Sequence, residues 1–182
     1  GGQGLMIGYV CKYTPVEVFE AMGVEIGRIQ PEVTNFNQAD TLMHPNICSF
    51  TKSVLEDVLA GDYEGVVLTT CCDSIRRLHD VLKQQCPDKF LYLLDVPRKV
   101  NDFSTEMYRK NILDMVHAYE AFSGKTFDEI VLKQLLERRE AGQNLRTAPK
   151  NKASVHIGLM GARCSKALLI CWKTEAWIFY LI

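Results

Sequence analysis

Apolar runs of strand length alternate along this chain with amphipathic stretches of helix length. LMIGYV (residues 5–10) predicts a strand, and PVEVFEAMG (15–23) a short helix with proline in its first turn and glycine at its end. VEIGRI (24–29) predicts a second strand. The polar QPEVTNFNQADTL that follows, with one proline and two asparagines, predicts an irregular link. In NICSFTKSVLEDVLAG (46–61), Ile47, Phe50, Val54, Leu55 and Val58 recur at helical spacing, and Gly61 can close the helix.

The unbroken apolar run GVVLTT (65–70) predicts a buried strand, and DSIRRLHDVLKQQ (73–85) a helix with Asp73 or Ser74 as its N-cap. KFLYLLDVP predicts a further strand, stopped by Pro97. Two more helices are expected around residues 104–122 and 127–142. The basic QNLRTAPKNKAS then reads as a linker and VHIGLMG as the opening of a new βα unit, which places a boundary near Asn151: residues 1–150 form one α/β domain and 151–182 begin a second, incomplete one. Strands separated by helices imply right-handed βαβ units and a mostly parallel sheet, so the expected fold is α/β, doubly wound, with helices on both faces.

At 182 residues and 47% apolar composition, the chain is long enough for one domain with its own core. Its net charge of -1 sets up no field that would recruit nucleic acid or an anionic membrane, and neither is expected as a partner. No run approaches the roughly 20 apolar residues that span a bilayer. The start, GGQGLMIGYV, lacks the pattern of a secretory signal, so a cytoplasmic location is expected.

Seven cysteines without an export signal or a compact repeating spacing argue against a disulfide framework and give weight to metal or redox chemistry. In an open parallel sheet, ligands bind beyond the carboxyl ends of the strands, where loops lead into helix N-termini. Cys11 follows the first strand, Cys48 lies in the first turn of the helix beginning near Asn46, and Cys71 and Cys72 lie between a strand end and a helix start. Four of the seven cysteines therefore map to one edge of the sheet. Neighbours in an extended segment point to opposite sides, so Cys72 is expected at the shared edge and Cys71 in packing. Each taken singly could instead be a small buried hydrophobe. Structural zinc sites take ligands in close pairs such as C-x-x-C, which do not occur here, and widely separated single cysteines suit an iron–sulfur cluster better.

YVCKYTPVEVFEAMGVEIGRI, HPNICSFTKSVLEDVLAGDYEGVVLTTCCDSIRRLHDVL and YLLDVPRK together resemble the 2-hydroxyacyl-CoA dehydratase D-component family, which also contains benzoyl-CoA reductase subunits and double-cubane-cluster proteins. The resemblance runs from about Ile7 to Leu169. It implies two α/β domains that hold an iron–sulfur cluster, of the 4Fe-4S type, between them through three cysteines. Carried over by motif, the ligands are Cys11 of CKYTPVE and Cys48 of NICSF, with Cys72 of CCDSIRR at a position that either binds iron or lines the pocket. The implied reaction is dehydration of a 2-hydroxyacyl-CoA thioester by one-electron chemistry through a ketyl radical, or ring reduction in the reductase branch. The implied partners are a homologous dehydratase subunit and an ATP-hydrolysing iron–sulfur activator. The absence of a G-x-x-x-x-G-K-S/T loop agrees with the D-component role.

After VHIGLMGARCSKALL the resemblance ends, and the chain closes on ICWKTEAWIFYLI. A truncated or frame-shifted product is the expectation, and Cys164 and Cys171 are not counted as ligands. Catalysis by the chain alone is then doubtful, and the rival reading is a non-catalytic relative that serves as a scaffold or subunit-contact module. His44, His79, His117 and His156 are dispersed and assigned no role. Arg76 and Arg77 can face CoA phosphates or simply be solvated, and Asp95 can line the same edge or cap the turn before Pro97.

Overall fold

The computed structural model describes residues 6–143 together with two strands, His156–Leu159 and Ile178–Leu181. The chain divides into two compact units, Gly1–Arg139 and Glu140–Ile182. The expected boundary at Asn151 and the cysteines Cys164 and Cys171 lie outside the described residues.

In the first unit, β1 (Met6–Tyr9), β2 (Ile26–Arg28), β3 (Tyr63–Thr69) and β4 (Phe90–Leu94) form an all-parallel sheet in the order β2-β1-β3-β4. Helices α1 (Val16–Ala21), α2 (Ala39–Leu42), α3 (Ser49–Ala60), α4 (Asp73–Gln85), α5 (Asp102–Ser123) and α6 (Glu129–Gln143) connect and follow the strands. The expected α/β architecture is observed.

The alternation along β3 shows why both faces are covered. Val66 and Leu68 join Val54, Leu55 and Val58 of α3 and Ile75, Leu78 and Leu82 of α4 in one buried cluster. Val67 points the other way, into a cluster with Ile7, Phe19 of α1, Phe90, and Met115 and Tyr119 of α5. Period-two alternation in a strand buried on both sides leaves no polar face to show, as the run GVVLTT implied. Tyr119 is wedged between Phe19 and Phe90, edge-on to both, with ring centroids 5.3 and 4.9 Å away. Its hydroxyl, at the end of a fully buried side chain, donates to Glu64 Oε1 at 3.1 Å.

Two glycines are required by position. Gly23 takes φ 65° just beyond α1, a left-handed conformation that only glycine adopts without strain. At Gly65 a Cβ would lie 2.3 Å from the Phe90 carbonyl oxygen, so β3 and β4 can pair there only without one.

Three boundaries differ from the sequence expectation. The link expected to be irregular contains α2, because Glu56 of α3 accepts hydrogen bonds from the backbone N–H of Gln38 (2.7 Å) and Ala39 (2.8 Å). This is a cap supplied from another helix, reinforced by the Lys52–Asp40 ion pair at 2.6 Å. α5 starts at Asp102, two residues early, because Asn101 and Ser104 form a reciprocal capping box. Cys72, not Asp73 or Ser74, holds the N-cap position of α4: after a turn at Thr70 and Cys71, Cys72 is extended (φ -151°, ψ 161°) and the helix begins at Asp73.

In the second unit, His156–Leu159 (β5) pairs in parallel with Ile178–Leu181 (β6), with His156 opposite Ile178. The expected strand in VHIGLMG is present.

Candidate functional site

The strand order creates the site. From β1 the chain moves one way to β2 through α1, on the Tyr119 face, and then back past β1 to β3 through α3, on the opposite face. The reversal leaves a crevice between the carboxyl ends of β1 and β3, the place where doubly wound sheets bind ligands. β1 runs through Val10 into Cys11, and β3 runs through Thr70 into Cys71 and Cys72. The N-termini of α3 and α4 are capped by Cys48 and Cys72. The four edge cysteines thus take their places from two strand ends and two helix starts. Cys86, by contrast, is the C-cap of α4, at the helix's other end.

Cys48, Cys71 and Cys72 are exposed and Cys11 is half-buried. The expectation that Cys71 is a packing residue is corrected by this exposure. Burial of its sulfur raises the Cys71 thiol above its ordinary range; the Thr69 hydroxyl works against this, and the charges of Cys11 and Cys72 push it further up. A hydrogen bond with Cys11 acts in the same direction. Cys71 therefore lies near both the Cys11 and the Cys72 thiols.

Cys48 has a different environment. Burial tends to raise its thiol, but hydrogen bonds from the Thr51 side chain and backbone, the Ser74 side chain and the Phe50 backbone together bring it below the ordinary value. Its Sγ lies 3.2 Å from Thr51 Oγ1. Through Ser74, in the first turn of α4, the starts of α3 and α4 meet at the Cys48 sulfur. Among the described residues, no three of His, Cys, Asp and Glu stand close enough together to hold a single metal ion.

Thr14, Tyr108 and Thr70 support the site and were not legible in the sequence. The Cys11 turn is closed by Thr14 N donating to the Cys11 carbonyl at 3.0 Å. Tyr108 of α5 holds the turn by donating to the Tyr13 carbonyl at 2.7 Å. Burial first, then the charges of Cys11 and Glu17, raise the Tyr108 hydroxyl above its ordinary value. On the other side, Thr70 Oγ1 donates to Asp95 Oδ1 at 2.5 Å and accepts from Val96 N at 3.1 Å. Asp95 therefore ties the ends of β3 and β4 together at the edge. Arg77 is exposed and paired with Asp80 at 3.0 Å, the solvated alternative, whereas Arg76 turns back toward the Thr70 carbonyl at 3.5 Å. Burial lowers the pKa of His79, which adjoins Asp80, and His44 caps its own turn.

An α/β domain with thiols gathered at its switch point defines a class, and comparison with known proteins makes it specific. Residues 11–156 match the model of the 2-hydroxyglutaryl-CoA dehydratase D-component, and the chain belongs to that family. It is 27% identical over 139 residues to the beta subunit of (R)-phenyllactyl-CoA dehydratase from Clostridium sporogenes, an alignment that covers 72% of this chain and 36% of that subunit. The chain thus spans little more than a third of the length of this relative. The family match begins at Cys11 itself.

Proposed function

We propose that this chain supplies the cysteine-bearing α/β domain of an iron–sulfur subunit in a 2-hydroxyacyl-CoA dehydratase, with Cys11, Cys48 and Cys72 as its thiolate donors. The observation that carries the reading is the convergence of the cysteines on the carboxyl edge, at the switch point, within a chain of the dehydratase family. The donors suit the group in kind. Iron–sulfur clusters are held by cysteine thiolates, and a cubane is bulkier than an ion, so its ligands stand further apart than those of a single metal. When bound, a 4Fe-4S cluster supplies a low-potential electron and an iron open to a substrate oxygen.

The chain's own residues have definable tasks. The start of α3 places partial positive charge behind Cys48, which favours a thiolate there. With Cys48 as a thiolate, which can only accept, the Thr51 and Ser74 hydroxyls donate to its sulfur. Tyr108 fixes the turn that presents Cys11. The Thr70–Asp95 tie keeps the segment leading into Cys71 and Cys72 at constant depth relative to β4. The substrate is a 2-hydroxyacyl-CoA, and the partners are a homologous subunit and an ATP-dependent iron–sulfur activator in the cytoplasm. Among the described residues no helix is long and apolar enough to cross a membrane.

A second reading is a family member that holds no cluster and acts as a scaffold or subunit-contact module. Anaerobic reconstitution with iron and sulfide separates the two. Bound iron and sulfide with broad visible absorbance support the cluster; a colourless, iron-free chain refutes it.

A further inference from the structure

Thr51 is the third residue of α3 and is fully buried, whereas Cys48, the cap of the same helix, is exposed. A hydroxyl out of reach of water must find its partner inside the protein. Here it reaches back to the cap, with Oγ1 3.2 Å from the Cys48 sulfur. In ordinary capping the cap side chain serves the backbone N–H of the third residue; here the buried hydroxyl of that third residue approaches the cap sulfur as well. The side-chain partners of the sulfur are Thr51, within its own helix, and Ser74 of α4, and of the two Thr51 is the fully buried one. A thiolate can only accept, which makes Thr51 the donor once Cys48 is a ligand.

We propose that Thr51 is the positioning residue for Cys48, its buried hydroxyl holding the sulfur in one rotamer so that it faces the carboxyl edge of the sheet. This assignment rests on the reading of Cys48 as a cluster ligand. It follows the general rule that hydrogen-bond partners orient metal-bound side chains, here with a neutral hydroxyl whose position is guaranteed by core packing. Thr51 packs within α3 where neighbouring Val54 and Leu55 are also fully buried, so it has little room to follow the sulfur if the thiol swings away.

The test compares wild type, Thr51→Val and Thr51→Ser. Valine keeps the branched shape and removes the hydroxyl; serine keeps the hydroxyl. In cluster-free chain carrying isotope-labelled cysteine, the Hα–Hβ couplings of Cys48 report its side-chain rotamer. Single-rotamer couplings are expected in wild type and Thr51→Ser, and averaged couplings in Thr51→Val. After anaerobic reconstitution, a chelator should strip iron about tenfold faster from Thr51→Val than from Thr51→Ser. Identical couplings in all three chains, or a serine variant that behaves like valine, would overturn the assignment. Wild type that takes up no iron overturns the cluster reading instead, and the couplings in the cluster-free chain still decide the role of Thr51.

Discussion

Replacing Glu56 with alanine removes the acceptor that builds α2 and pins the link leading toward Cys48. Glu56 is 8% exposed, and its carboxylate receives two backbone N–H groups, from Gln38 at 2.7 Å and Ala39 at 2.8 Å. Ala39 is fully buried, so its orphaned N–H finds no water and costs about 2 kcal/mol. The exposed Gln38 can recover a water and costs about 0.5–1 kcal/mol. The sum, about 3 kcal/mol, corresponds in a chain of this size to a Tm lower by about 6–12 °C. Glu56→Gln retains a carbonyl acceptor in the same place and should cost about 1 kcal/mol or less. Urea or thermal denaturation followed by circular dichroism reads both variants. If Glu56→Ala unfolds within about 1 kcal/mol of wild type, or if glutamine is as damaging as alanine, the cross-helix cap does not hold the link and the reasoning fails.

Other consequences follow from the same geometry. Peptide-mapped alkylation of the cluster-free chain should modify Cys48 at lower pH than Cys71, because hydrogen bonding lowers the first thiol while burial and neighbouring thiolates raise the second; coincident pH profiles would contradict this. Burial, with the charge of Glu64 and the hydrogen bond to it, pushes the Tyr119 hydroxyl up to about 12 from its ordinary 10.0. The folded state therefore favours the protonated phenol. Its stabilising contribution is complete below pH 10 and is lost as pH rises from 10 toward 12, a loss that Tyr119→Phe should blunt in alkaline denaturation curves.

The fold was legible because each strand of the sheet is announced by an apolar run and each long helix by its own periodicity. Val66, Val67 and Leu68 are consecutive in sequence yet serve two cores, the mark of a parallel strand covered on both faces. The edge was legible too, since Cys11, Cys48 and the Cys71–Cys72 pair all fall at strand ends and helix starts. What escaped the sequence were partnerships between distant residues. Nothing local to Ala39 signals that Glu56 will cap it, and nothing near Cys11 signals Tyr108. The choice between Cys71 and Cys72 rested on strict alternation, but the strand ends at Thr69, a turn takes in Thr70 and Cys71, and both thiols are accessible. Which thiols meet was equally hidden, because the separation of Cys11 and Cys71 is set by the pairing of β1 with β3.

The central claim is that the cysteines of the carboxyl edge hold an iron–sulfur cluster, and the iron content of two single variants tests it most directly. Cys48→Ala removes a proposed donor, whereas Cys86→Ala removes a thiol at the C-terminal end of α4. After anaerobic reconstitution, the account predicts that Cys86→Ala matches wild type in iron and sulfide per chain while Cys48→Ala loses most of both. Equal iron in the two variants would contradict it.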